Sequence, residues 1–180
     1  MYSMDTRVYY NCGGGDEQYT PRAGVEILLP HIQHLKDKII WCPFDKEDSQ
    51  FVKVLKENGF KVVYSHIEYG QDFFTYEPEK WDVIISNPPY KNKRAYWERC
   101  IKLGKPFALL LPVNILSDSA INATLRERER ERELCLLIPD KRMRFYNAVT
   151  GEVGAQPTFK AVYLGVRIFD RQIILEDLQK

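Results

Sequence analysis

What the chain lacks sets the first limits. Its 180 residues contain no run of about 18 apolar residues, so no membrane-spanning helix and no membrane partner are expected. Residues 1–18 carry no apolar core of the signal-peptide type, so a secretory leader is not expected. Cysteine is scarce and scattered, at Cys12, Cys42, Cys100 and Cys135. With no Cys-x-x-Cys spacing, neither a zinc site nor a disulfide framework is indicated, and reduced thiols in a cytoplasmic protein are the simple expectation. The histidines are His31, His34 and His66. The first two lie one helical turn apart, but no third ligand stands near them, so no metal site is expected. Internal repeats are absent.

What is present is ordinary in amount. A hydrophobic content of 44% and a charged content of 28% suit one globular domain with its own core. The net charge is only +1, but its distribution is uneven. Residues 1–90 hold 9 Lys and Arg against 14 Asp and Glu, while residues 91–180 hold 17 against 11. Either the second half turns a face toward a polyanion or the charges are unremarkable scatter.

Hydrophobic patterning supplies the elements. Residues 1–16 read as a flexible lead jointed at Gly13-Gly14-Gly15, with the folded domain over 17–180. Thr20-Pro21 reads as a helix start, a hydroxyl cap followed by a proline, with Val25, Leu28, Leu29 and Ile32 on one face. Apolar runs at 38–42, 61–66, 81–86, 106–112 and 160–169 read as strands. Helical spacing fills 48–60, closed by Gly59, and 96–105, closed by Gly104. Strands alternating with helices predict an α/β fold with a mainly parallel sheet, and continuous runs such as Val83-Ile84-Ile85 fit strands buried on both faces. The charge run Arg126–Glu133 reads as a solvated helix face, or else as a phosphate contact by some of its arginines.

Ligands of such sheets bind at the carboxyl ends of the strands. There the chain carries Asn87-Pro88-Pro89-Tyr90, directly after the run 81–86, and Cys42-Pro43-Phe44-Asp45, directly after the run 38–42. Two prolines make a stiff turn that has no N–H of its own. The turn therefore presents acceptors: the side-chain oxygen of Asn87 and the backbone carbonyl of Pro88. Two rigid acceptors are what an exocyclic amino group needs if its hydrogens are to be engaged and its lone pair freed. Tyr90 is placed to stack on the ring that carries that group.

The stretch "IISNPPY" resembles the catalytic motif of the S-adenosylmethionine-dependent amino-methyltransferases, especially those that form N6-methyladenine in DNA. The likeness is closest to small stand-alone enzymes of phage type. It implies a Rossmann-like seven-stranded sheet flanked by helices in a single domain, with Asn87, Pro88, Pro89 and Tyr90 as the catalytic group. Further stretches carry the resemblance. "DEQYTPRAGVE" is similar to the family's N-terminal element, which implies that Tyr19, Thr20 and Pro21 approach the methionine end of the cofactor. "WCPFDKEDS" is similar to its loop after the first strand, with Pro43 and Phe44 matching. "GQDFF" is similar to its later acidic element, with Asp72 for the adenine amino group and Phe73 beside the ring. "FYNAVTGEVGAQPTFKAVYLG" is similar to the region around the flipped base, with Phe145 or Phe159 as walls.

Two departures shape the expectations. The loop after the first strand lacks the family's glycines, Lys46 and Asp48 standing in their places, and Asp45 becomes a candidate carboxylate for the amino-acid or ribose end. The second strand ends without an acid for the ribose, where Ser65 or Glu68 could substitute. Lys91, Lys93 and Arg94, together with Lys141, Arg142 and Arg144, flank the expected pocket mouth and suit phosphates beside an extruded nucleotide. Nucleic acid, DNA first, is thus the expected partner. The chain has little room for a recognition domain, so either residues 114–133 or 141–158 read a few bases, or the enzyme is nonspecific, dimeric or reliant on a separate partner. RNA adenine or a protein glutamine remains an alternative acceptor, and a nonenzymatic nucleic-acid-binding module on a degenerate methyltransferase fold is a third reading.

Overall fold

The computed structural model describes residues 18–147 and 150–178, so the expected lead over 1–16 lies outside the described residues. The strands are β1 (Gln18–Tyr19), β2 (Ile39–Cys42), β3 (Lys61–Tyr64), β4 (Val83–Ser86), β5 (Phe107–Pro112), β6 (Leu134–Pro139), β7 (Tyr146–Asn147), β8 (Ala161–Val166) and β9 (Ile173–Glu176). The α-helices are α1 (Arg22–Glu26), α2 (Gln50–Glu57), α3 (Lys93–Leu103) and α4 (Asn122–Arg130). Seven strands form one sheet in the order β3-β2-β4-β5-β8-β6-β9, and β1 pairs with β7 in a separate antiparallel ribbon. Within the sheet β8 alone runs against the others, antiparallel to both β5 and β6. The architecture is an α/β fold with a mostly parallel sheet between helices, compatible with a Rossmann-like arrangement.

The sheet is where the sequence places its apolar mass. β4, β5 and β8 are buried along their whole length, which is why they read as continuous apolar runs rather than alternating ones. One face packs on α1, the turn after it and α2 through Val25, Leu28, Phe51 and Leu55. The other packs through Trp97 and Cys100 of α3 and the rings of Trp41 and Trp81. Ser49 caps α2 by accepting from Val52 N at 3.3 Å. Gly59 (φ 79°) and Gly104 (φ 71°) follow α2 and α3 in the left-handed conformation, the ordinary glycine ending.

Three expectations need correction. Thr20 does not cap a helix: α1 starts at Arg22 behind Pro21, with no side-chain cap, and continues only to Glu26. Beyond it the chain makes short 3-10 turns at Leu29–His31 and Gln33–Leu35, because Pro30 has no N–H to continue an α-helix. The charge run Arg126–Glu133 is helical only as far as Arg130. There Arg128 is enclosed by Glu131 at 2.7 Å and Glu133 at 2.8 Å, so this arginine is held by its own segment.

Candidate functional site

The carboxyl ends of β2 and β4 lie side by side, since these strands pair directly. The Asn87–Tyr90 turn leaves β4 there, and the loop 43–49 leaves β2. Asn87 is half-buried. Its Nδ2 donates to Thr20 Oγ1 at 3.2 Å. Its Oδ1 is buried and makes no hydrogen bond among the described residues. An amide has two chemically opposite ends, so the bond to Thr20 decides which of them stays available. The available end is an acceptor, and an unpartnered buried acceptor is unfavourable by about 1–3 kcal/mol until a donor meets it.

Thr20 is itself fixed. It is 4% exposed. A side chain on neighbouring Gly24 would stand 3.0 Å from its methyl and 2.8 Å from Met143 Sδ, so the absence of one lets α1 close on the turn. Tyr163, deep in β8, donates its hydroxyl to Gly24 O at 2.5 Å and ties α1 to the sheet.

From Thr20 the constellation widens. Tyr19 donates to Asp48 Oδ1 at 2.9 Å and meets the Tyr146 ring edge-on at 5.8 Å. Gln50 donates its Nε2 to the Tyr146 hydroxyl at 3.4 Å. Gln50 Oε1 is a second buried acceptor without a partner. Strand β1, the loop after β2, the end of β4 and strand β7 therefore meet at one place. Asp48, Gln50 and Tyr146 were not legible as site residues, because only the β1–β7 ribbon brings them to Tyr19, and nothing in their spacing announces that pairing.

The aromatic side of the turn also assembles. Tyr90 packs edge-on against Phe145 (6.3 Å) and Phe159 (5.6 Å), bringing together three residues that the sequence placed around a ring. Its hydroxyl is buried without a partner, and burial pushes the phenol pKa well above its ordinary value. Of the four turn residues, Pro88 is buried and Pro89 exposed.

Two polar residues expected to hold a ligand are instead internal. Asp45 is 6% exposed and accepts from Ser86 Oγ at 2.5 Å. Burial raises its pKa to about 6, opposed by the hydrogen bonds from Ser86 and Ser49. Ser65 is 0% exposed, and its Oγ accepts from the Trp41 indole at 2.9 Å. With almost no surface to offer, neither side chain presents itself to a ligand in this conformation. They lock the ends of β2, β3 and β4 to one another.

Phe73, expected beside the cofactor's ring, packs among the protein's own aromatic side chains. Phe73 is 3% exposed and packs on Trp41 and Phe44, while Tyr96 of α3 lies 4.9 Å from Phe44 and 6.0 Å from Phe73. Asp72 turns its carboxylate back onto Phe74 N at 2.9 Å. Pro43 is buried; Phe44, Pro21 and Tyr19 keep part of their surface.

The cations divide. Arg94 is bound to Asp118 at 3.2 Å, and Arg142 donates to Pro157 O at 3.3 Å. Lys91, Lys93 and Arg144 make no ion pair among the described residues. Lys93 and Arg94 open α3 with no acid in its first turn, adding their charge to the positive end of the helix. Among the described residues no group of three or more His, Cys, Asp or Glu could hold a metal ion, and no helix is long and apolar enough to cross a membrane. No protein-family model matches the chain, and no curated protein is significantly similar to it.

Proposed function

We propose that the protein transfers a methyl group from S-adenosyl-L-methionine to the exocyclic N6 of adenine in DNA. The observation that carries the reading is Asn87 Oδ1, a buried acceptor without a partner among the described residues at the carboxyl end of a central strand, its amide oriented by the bond between Nδ2 and Thr20. An amino group is the donor this acceptor fits. The residues also suit the cofactor's cationic end, since Asp48 and the unpartnered Gln50 Oε1 give the Tyr19 side of the site negative charge and an open acceptor. When bound, S-adenosylmethionine supplies an electrophilic methyl whose bond to sulfur breaks as the bond to nitrogen forms.

The chain's own residues position the acceptor. Asn87 Oδ1 and the Pro88 carbonyl take the two amino hydrogens and leave the nitrogen lone pair free toward the methyl. Pro89 stiffens the turn, and Tyr90, with Phe145 and Phe159 behind it, bears on the ring. After transfer the surplus proton leaves the nitrogen to water, so no strong base is needed. Fixing this geometry in advance is itself a large part of a rate enhancement. Lys91, Lys93 and Arg144, without ion-pair partners among the described residues, supply positive charge for the phosphates beside the base.

One observation favours a second reading. Tyr96 lies against both Phe44 and Phe73, the two aromatic residues expected beside the cofactor, and the loop 43–49 has no glycine. This favours a nucleic-acid-binding module that performs no transfer. Calorimetry with S-adenosylmethionine separates the two, since the module would show no binding even with DNA present. The decisive assay follows labelled methyl from the cofactor into duplex DNA, RNA and protein, with nucleoside analysis of the product. Label in N6-methyladenine of DNA is expected, and label confined to RNA or to protein would overturn the choice of substrate.

A further inference from the structure

The sheet ends on one side at β9, whose outer edge pairs with nothing among the described residues. Natural edge strands are usually blunted by charge, especially lysine, or by proline or a bulge. The opposite edge, β3, is guarded in this way: it starts with exposed Lys61, and Lys56 lies over the Tyr64 ring at 5.1 Å. β9 carries no such guard. Its one charged residue, Glu176, turns to His31 at 2.6 Å. Ile173 and Leu175 stand on one face at 63% and 77% exposure, while Ile174 between them is buried.

We infer that β9 is a self-complementary interface through which two copies of this chain join their sheets about a two-fold axis. Three independent features select the same register. Leu136 N donates to Gln172 O at 2.7 Å and Asp140 N to Glu176 O at 2.8 Å, so residues 172, 174 and 176 turn their backbone groups toward β6. By alternation, residues 173 and 175 turn theirs outward, while Arg171 and Asp177 flank the strand just beyond its two ends. An antiparallel pair centred on Ile174 sets Ile173 opposite Leu175 of the second copy and Arg171 opposite Asp177. Ile173 and Leu175 have outward backbone groups in both copies, so they form hydrogen-bonded pairs, and the flanking Arg171 and Asp177 come together beyond them. The same register joins the two most exposed apolar side chains of the strand into a cluster of four on one face. It also matches an exposed cation with an exposed anion, neither of which has an ion-pair partner among the described residues. A slip by one residue loses the backbone match, and a slip by two loses the charge match.

Because the axis stands perpendicular to the sheet, the two copies point the carboxyl ends of their strands in opposite directions. The two Asn87 turns then lie on opposite sides of the joined sheet and serve separate substrates. The dimer does not depend on the methyl-transfer reading, and its test needs no activity.

Sedimentation equilibrium or light scattering on the full chain, from low to high micromolar concentration, should show a monomer–dimer equilibrium. Arg171→Asp should raise the dissociation constant by about tenfold, because a favourable cross-strand pair becomes a repulsive one at two symmetric places. The double variant Arg171→Asp/Asp177→Arg should restore it, and Leu175→Lys should leave only monomer, with a thermal midpoint equal to that of the wild type measured below its dissociation constant. A wild type monomeric throughout would overturn the proposal, as would a dimer that survives Leu175→Lys or a charge swap that fails to restore pairing. A monomer whose residue 173 and 175 amides resist hydrogen exchange would assign the edge to another part of this chain and overturn it as well.

Discussion

Replacing Asp45 with asparagine tests the lock behind the site. In the folded protein this carboxyl titrates at about 6 rather than 3.8, chiefly because burial penalises its charge. The native state therefore holds the proton to a higher pH than the unfolded chain does. Between these two values the folded form binds more protons, so stability falls as pH rises and is lowest with respect to this group above about pH 6. At about 1.4 kcal/mol per pH unit, the penalty at neutral pH is roughly 3 kcal/mol. The substituted amide would carry no charge, and the rotatable hydroxyls of Ser86 and Ser49 can meet it. In urea titrations the Asp45→Asn variant should match the wild type near pH 4 and exceed it by about 1–3 kcal/mol near pH 7.5. An equal stability difference at both pH values would refute the argument. So would a wild-type stability that stays flat between them. Since the carboxylate has almost no surface, cofactor binding should survive the change. Loss of binding with stability retained would return Asp45 to the site.

Three further outcomes are expected. Thr20→Val removes the acceptor that fixes the Asn87 amide while keeping the shape, so kcat for methyl transfer should fall by about 10- to 100-fold with cofactor affinity unchanged. Thr20→Ser should retain the rate, whereas a weakened cofactor affinity at unchanged kcat would make Thr20 a cofactor ligand instead. Asn87→Ala should lower transfer by a factor of about a hundred or more and leave the thermal midpoint nearly unmoved, and retained turnover would refute its role. Gly165→Ala would drive a Cβ into Phe107 O across the β5–β8 pair, so its urea midpoint should correspond to a loss of about 3 kcal/mol or more. A midpoint equal to the wild type's would contradict the register of that pair.

The sequence made β2 and β3 legible as short apolar runs and, most plainly, the strands buried on both faces. β4, β5 and β8 are unbroken apolar runs, and no other element of a small α/β protein looks like that. β6 escaped because its residues alternate between buried and half-buried and follow directly on the charge run 126–133. β9 escaped because two of its three apolar residues face solvent. The reversed direction of β8 was also hidden, since an apolar run has no polarity to read. At the site, the turn after β4 was legible because two prolines after a strand admit few structures. The burial of Asp45 and Ser65 was not, because a polar residue just past a strand looks bound for solvent until a serine or an indole from another strand meets it. The link from Thr20 to Asn87 spans 67 positions and rests on packing around Gly24 that no local pattern signals.

The position of β8 governs the order of assembly. It is inserted between β5 and β6 and pairs with both, yet it lies late in the chain. Until residues 161–166 have been made, β5 and β6 present facing open edges, and the two parts of the sheet have no common seam. Such long-range closure slows folding and leaves aggregation-prone edges exposed while synthesis continues. A nascent chain halted before Ala161 would hold its Asn87 turn on half a sheet, without the Tyr163 tie to α1. The protein is therefore expected to acquire its site only after nearly all of this sequence has been synthesised, in one late step rather than by accretion.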